Sequence, residues 1–283
     1  MNSLTDCYIL NNEVKIPCIG FGTWQTPDGE TAETVVKAAL EAGYRHIDTA
    51  AGYGNEESIG RGIAQSGVAR DQIFVTTKLW NDTRGYEETL AAFETSRKKL
   101  GLEYLDLYLI HWPNPINFRD HWQKANSDTW CAFETLYKEG LVRSIGVSNF
   151  RPHHLEALYQ TATVRPMVNQ IRLCPGDVPD ETVQFCRENK ILLEGYSPLG
   201  TGKIFEIPQI KALSEKYNRS VAQICIRWSL QMGFLPLPKS VTPSRILENA
   251  NVFDFSLTDE DMQIISSLDG CVGYAKDPDQ TTF

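Results

Sequence analysis

A chain of 283 residues with a formal net charge of −9 and 42% hydrophobic residues has the composition of a globular protein with a sizeable core. The acidic balance excludes a general grip on nucleic acid, which needs a basic surface. No apolar run reaches the roughly eighteen residues that span a bilayer. The seven cysteines are scattered, odd in number and without a CxxC pair. They predict reduced thiols in a cytoplasm, not a disulfide framework or a zinc site. Met1 to Leu10 lacks the charged flank and apolar stretch of a secretion signal.

In chain order, Tyr8 to Leu10 and Val14 to Ile16 flank Asn11-Asn12 and predict a hairpin, followed by a first barrel strand over Ile19 to Gly22. Helical spacing predicts helices over Glu30 to Ala42, Asn55 to Ser66, Tyr86 to Leu100 and Asp128 to Glu139. Further helices are expected over Pro152 to Gln160, Glu181 to Asn189, Ile207 to Tyr217, Val221 to Met232 and Pro243 to Ala250. Thr258 to Leu268 adds one more, with Asp261 three residues after Thr258 as a capping-box variant.

Between the helices lie short apolar runs, each closed by one polar residue: Asp48, Lys78, His111, Ser148, Gln170, Tyr196 and Lys239. Strand–helix alternation of this kind predicts a parallel sheet with helical crossovers. Its natural closed form is a (β/α)8 TIM barrel, here with an N-terminal hairpin and extra C-terminal helices. Such a barrel keeps its chemistry on the rim where its strands end. No linker or composition break divides the chain, so residues 1–283 are expected to form one domain.

Asp48 to Glu56 puts a carboxylate on a strand end and Tyr53 in the following loop. A phenol titrates near 10, so a tyrosine acid working at neutral pH is expected to be made easier to ionise by a nearby ammonium. Lys78 on the next strand end is placed to do this, with Asp48 to keep it charged. His111, one strand further on, can polarise a carbonyl oxygen. Singly, each has an ordinary structural explanation; together, three of them at successive strand ends predict an enzyme.

These segments resemble the aldo-keto reductases. The resemblance runs from Gly20-Phe21-Gly22-Thr23-Trp24 to Phe253-Asp254-Phe255. It rests on Asp48 to Glu56, Leu105 to Pro113, Gly146 to Phe150, Asn169-Gln170, Tyr196 to Gly200 and Pro238 to Pro243. It implies carbonyl reduction by a nicotinamide dinucleotide held without a Rossmann domain, which fits the lack of a strand–GxGxxG–helix unit. It also implies a catalytic tetrad of Asp48, Tyr53, Lys78 and His111, with Tyr53 as proton donor.

By position, Tyr196 is expected to stack on the nicotinamide, and Ser148, Asn149 and Gln170 to bond its carboxamide. Ser197, Leu199 and Thr201 are expected along the pyrophosphate, with Thr23 also at the cofactor. Lys239, Ser240 and Arg245 would take a 2′-phosphate, Glu248 and Asn249 the adenine, with Val241 also at the cofactor. A cationic and hydroxyl cluster of this kind favours NADP(H) over NAD(H). Trp24 and Trp112 would line the substrate mouth beside His111, with Phe118 and Trp122 as outer candidates.

Two departures from the family stand out: Arg172-Leu173-Cys174 before Pro175, where many relatives carry an acidic residue and a histidine, and a short Thr201 to Pro208 segment. The second resembles compact microbial reductases similar to the glyoxal and 2,5-diketo-gluconate reductases, and implies easy cofactor exchange. The tail after Leu268 is expected to give little substrate wall. The expected protein is a cytoplasmic monomer that takes a small carbonyl substrate and contacts neither nucleic acid nor membrane. The competing expectation is a regulatory or structural protein of the same fold that binds cofactor with little turnover. A metal-dependent barrel hydrolase is set aside, because the five histidines do not cluster at strand ends.

Overall fold

In the computed structural model, which describes residues 1–283, β1 (Cys7–Ile9) and β2 (Lys15–Pro17) form an antiparallel hairpin pairing Tyr8 with Ile16. It caps the end of the barrel where the strands begin: Tyr8 donates to the Phe234 carbonyl, Asn11 to that of Pro166 and Asn12 to that of Arg143. Eight parallel strands follow in sequential order: β3 (Phe21–Gly22), β4 (His46–Asp48), β5 (Phe74–Leu79), β6 (Leu107–Ile110), β7 (Ile145–Ser148), β8 (Val168–Arg172), β9 (Leu192–Tyr196) and β10 (Leu235–Leu237). The seam between β10 and β3 closes through the Gly20 and Gly22 N–H groups, which donate to the carbonyls of Pro236 and Pro238 at 3.1 and 3.0 Å. Glycine is required there: a Cβ on Gly20 would lie 2.5 Å from Leu237 and 2.6 Å from His46.

Helices α1 (Glu30–Glu41), α2 (Glu56–Gln65), α3 (Tyr86–Leu100), α4 (Trp122–Lys138), α5 (Pro152–Tyr159) and α6 (Asp180–Glu188) make the crossovers. Both α7 (Pro208–Tyr217) and α8 (Val221–Gln231) precede β10, and α9 (Pro243–Ala250) and α10 (Asp259–Ser266) follow it. One continuous apolar core joins the barrel interior to the helical layer. Each fully buried Ile or Leu in it contributes roughly 2 kcal/mol.

Sequence and structure differ at some element ends. Helix α4 starts six residues before Asp128, because Ala125 and Asn126 continue the buried stripe of Thr129, Trp130 and Phe133. The first barrel strand shrinks to Phe21–Gly22. The run from Val142 enters the sheet only at Ile145; Val142 makes a single bridge to Leu105. Between the two, buried Asp106 accepts from the Val75 N–H, Arg70 and Arg143 at 2.9, 2.7 and 3.0 Å, tying three connections at the closed end. The polar closers are also not strict strand ends. Lys78 and Gln170 lie one and two residues before their strands stop, and Lys239 lies two beyond.

Candidate active site

At the open end lies a cleft of about 930 Å³. The Lys78 side chain is fully buried beneath it. Its ammonium donates to Asp48 at 2.8 and 2.9 Å, to the Thr49 carbonyl at 2.8 Å and to the Tyr53 hydroxyl at 3.3 Å. An ammonium has no acceptor, so the Tyr53 oxygen accepts in this contact and its own proton is free to point into the cleft. Burial opposes the charge on Lys78, but Asp48 and Tyr53 outweigh it and hold the ammonium above its ordinary value.

The expected easing of Tyr53 ionisation is not what the geometry gives. Burial raises Tyr53 more than Lys78 lowers it, and Asp48 raises it further, so the phenol stays protonated through neutral pH. His111 is held well below its ordinary value by burial, then by Lys78 and Arg84, and is therefore neutral. Its Nδ1 is buried without a partner. The Nε2–H tautomer leaves only a lone pair unmatched there and presents a donor to the cleft.

The rest of the Asp48 to Glu56 segment holds this arrangement in place. Asn55 accepts from Thr49 and donates to the carbonyls of Thr23 and Thr26, each at 3.1 Å. Glu56 is buried and accepts from Thr77 at 2.6 Å and Ser96 at 3.2 Å, fastening α2 to β5 and α3. Gly52 lies under the Trp80 ring, 2.3 Å from where a Cβ would sit, so no larger residue fits.

Further along the cleft, Gln170 donates through Nε2 to Asp48 and to Glu194, each at 2.8 Å. Its Oε1 accepts from no protein group and faces the opening. Asn149 donates to the His111 carbonyl and Ser148 Oγ at 3.0 Å and accepts from the Tyr196 hydroxyl at 2.8 Å. Ser148 donates to the Gln170 carbonyl. Ser197, Leu199 and Thr201 line the middle of the cleft; Lys239, Ser240, Arg245, Glu248 and Asn249 line the far end. Lys239 donates to the Gln25 carbonyl at 3.1 Å, and Arg245 is exposed. Gln25, Asn149, Ser197 and Thr201, all on the cleft, adopt positive φ, the strained left-handed backbone that concentrates at functional sites.

Some expected residues do not reach the cleft. Thr23 is buried, with its hydroxyl and N–H both on the Asp48 carbonyl, where it fixes the strand end. Val241 is exposed outside the cleft. Phe118 and Trp122 are turned away by the 3-10 turn at Ile116–His121; Trp122 packs on His154, 4.9 Å between centroids. Trp24 and Trp112 do line the mouth.

The tail, expected to contribute little wall, contributes a large one. Tyr274, Ala275, Lys276 and Phe283 line the cleft, and Phe283 packs on Trp80 and Trp112 at 6.2 and 5.2 Å. Trp80 was readable in principle, two residues after Lys78 and so on the same strand face. Phe283 had no sequence signal. The atypical Arg172 anchors this tail: it pairs with Asp177 at 2.6 Å and donates to the Gly273 carbonyl at 2.7 Å.

The family model described as "Aldo/keto reductase family" matches residues 18–270. The chain is 47% identical to a glyoxal reductase of Bacillus subtilis, over 99% of each chain. It is equally identical to a 9,11-endoperoxide prostaglandin H2 reductase of Trypanosoma cruzi, over 99% of this chain and 97% of the relative. A solved aldo-keto reductase of Bombyx mori in complex with NADP is 36% identical, with a TM-score of 0.86 over 94% of each chain. The chain belongs to the aldo/keto reductase family and is an oxidoreductase acting on carbonyl compounds.

Proposed function

We propose that this enzyme reduces a small aldehyde or ketone with NADPH, Tyr53 giving the proton. The observation that carries this reading is the buried Asp48–Lys78 pair directed at the Tyr53 hydroxyl on the floor of an aromatic-walled cleft. The cleft also fits the dinucleotide. The open Gln170 Oε1 suits a carboxamide N–H, the Tyr196 ring forms a wall, and Lys239 and Arg245 offer cationic groups at the far end for a 2′-phosphate. When bound, the dinucleotide supplies a hydride.

The chain's own residues do the rest. His111 Nε2–H holds and polarises the carbonyl oxygen, as a preorganised donor in a partly dry site. Tyr53 transfers its proton to that oxygen as negative charge develops on it. The remaining phenolate is stabilised by Lys78, whose charge Asp48 maintains. Trp24, Trp80, Trp112 and Phe283 give the mouth apolar walls that favour small carbonyl compounds over charged polymers.

The free cysteines, four of them buried, support a reducing compartment such as the cytoplasm. Exposed large apolar side chains are scattered, which supports a monomer; light scattering that gives a dimer mass overturns that part.

The decisive experiment follows NADPH absorbance for wild type and Tyr53→Phe over small aldehydes, dicarbonyls and keto sugars. Wild type is expected to turn over and the variant to lose on the order of 10²–10⁴-fold while binding NADPH normally. Near-normal turnover by Tyr53→Phe rejects the acid. NADPH binding with no wild-type turnover on any substrate points to the regulatory alternative.

A further inference from the structure

Directly beneath the cleft floor the barrel interior contains a second carboxyl group. Glu194, in the middle of β9, is fully buried, and its Oε2 accepts from Gln170 Nε2 at 2.8 Å. The same Nε2 donates its other hydrogen to Asp48 at 2.8 Å. Both amide hydrogens of Gln170 are therefore held by carboxyl oxygens on its inner side. Turning the amide over would set its carbonyl oxygen against the Asp48 carboxylate and take from Glu194 Oε2 its donor.

We infer that Glu194 is a positioning residue that, with Asp48, locks the Gln170 amide so that only its carbonyl oxygen faces the cofactor. The inference rests on the NADPH reading above. It adds a cause for the orientation of the carboxamide-binding group: a cleft that presents an acceptor selects an N–H donor and thereby one face of the nicotinamide.

The groups around Glu194 fit this role. His46 approaches it from β4, the Asp48 and Lys78 charges act on it from β4 and β5, and Gln170 on β8 and Leu235 on β10 lie beside it. His46 Nε2 lies 3.9 Å from Glu194 Oε1 and bonds Thr76 at 2.9 Å. Burial, then the Asp48 charge, push the Glu194 carboxyl up to about 8, and burial pushes His46 down to about 3. Both are neutral near pH 7. Glu194 can thus carry its proton on Oε1, which has no partner, and still accept on Oε2. Asp48–Lys78 then remains as the charged pair beneath the cleft.

The test is a double-mutant cycle read by NADPH binding, followed by quenching of tryptophan fluorescence. Glu194→Leu is expected to weaken NADPH roughly tenfold, because one Gln170 N–H loses its acceptor and the amide is freed. Glu194→Gln, which keeps an acceptor at the same place, is expected to bind as wild type. In a Gln170→Leu background, Glu194→Leu is expected to cost nothing further. Glu194→Ala is carried through the same cycle, so that a folding failure of the leucine variant leaves the inference testable.

An equal loss in both backgrounds, or no loss in either, overturns the positioning role. A wild type that does not bind NADPH at all overturns the cofactor reading, and this inference with it. A pH series gives an independent readout: the stability of wild type relative to that of Glu194→Gln should fall as pH rises from about 5 to 8. A wild-type profile identical to that of Glu194→Gln removes the neutral carboxyl.

Discussion

Lys78 shows how one side chain can be expensive to bury and still be required. Taking an ammonium out of water costs several kcal/mol, offset here by three oxygen acceptors including both Asp48 oxygens. Lys78→Met should therefore act on stability as well as on rate. Leaving Asp48 buried beside a thioether is expected to cost about 3–5 kcal/mol in urea denaturation; a loss under 1 kcal/mol contradicts the buried-pair account. Lys239 and Arg245 act differently, as a half-buried and an exposed cation lining the cleft. Lys239→Ala with Arg245→Ala should weaken NADPH much more than NADH. Titration of both cofactors checks this, and an unchanged ratio removes the two residues from 2′-phosphate recognition.

Among the elements, the C-terminal segment and the turn after β9 decide how the cleft is walled. The tail is fastened by Asp279, which lies outside the cleft and accepts from Asn114 and His154 at 2.9 Å each. Because His154 Nδ1 accepts the Arg151 N–H, its proton lies on Nε2 and is donated to Asp279. Arg119 adds a bond to the Thr281 carbonyl at 2.6 Å, and Phe283 reaches the aromatic mouth. Asp279→Ala should loosen that wall, raising KM for the carbonyl substrate roughly three- to tenfold with NADPH affinity unchanged. A parallel rise in the NADPH dissociation constant would show that the tail also carries cofactor. The segment Gly200–Glu206 is two short 3-10 turns meeting at a kink, where Thr201 and Gly202 have positive φ. Thr201, Gly202, Lys203 and Phe205 line the cleft, but the segment is short, so cofactor release is expected to be faster than in a long-loop relative, by stopped-flow fluorescence.

At the scale of the whole molecule, buried titratable groups set opposing pH slopes. His46 and His154 are pushed down by burial, to about 3 and about 4, and His111 also lies well below 6.5. Below pH 6.5 the unfolded chain takes up protons that the folded chain refuses, so stability falls as pH drops. Glu194 works in the other direction: its folded carboxyl keeps a proton up to about 8, while the unfolded one releases it near 4.5. Stability from this group falls as pH rises between those values. The sum predicts maximum stability near neutrality, a steep acid decline and a shallow alkaline one. Chemical denaturation across pH 4 to 9 measures it; a maximum below pH 5 refutes the histidine assignment.

The sequence by itself determined the architecture and named the four residues that meet at the cleft floor, because both are written locally. Helical and strand periodicities alternate in order, and Asp48, Lys78 and His111 each follow an apolar run. Strand geometry then places them on one rim. Family motifs extended this to most of the other polar residues that line the cleft. Strand ends were less legible: Asp106 and Arg143 break a run of apolar residues for the sake of ion pairs that only the closed end brings together. What the tertiary structure alone decided depends on contacts between residues far apart in the chain. Phe283 meets Trp112, Arg172 holds Gly273, and Glu194 shares one amide with Asp48. The balance at Tyr53 was of the same kind. An ammonium nearby can be read from spacing, but the burial that outweighs it comes from the barrel and cleft walls, whose enclosure no local pattern encodes.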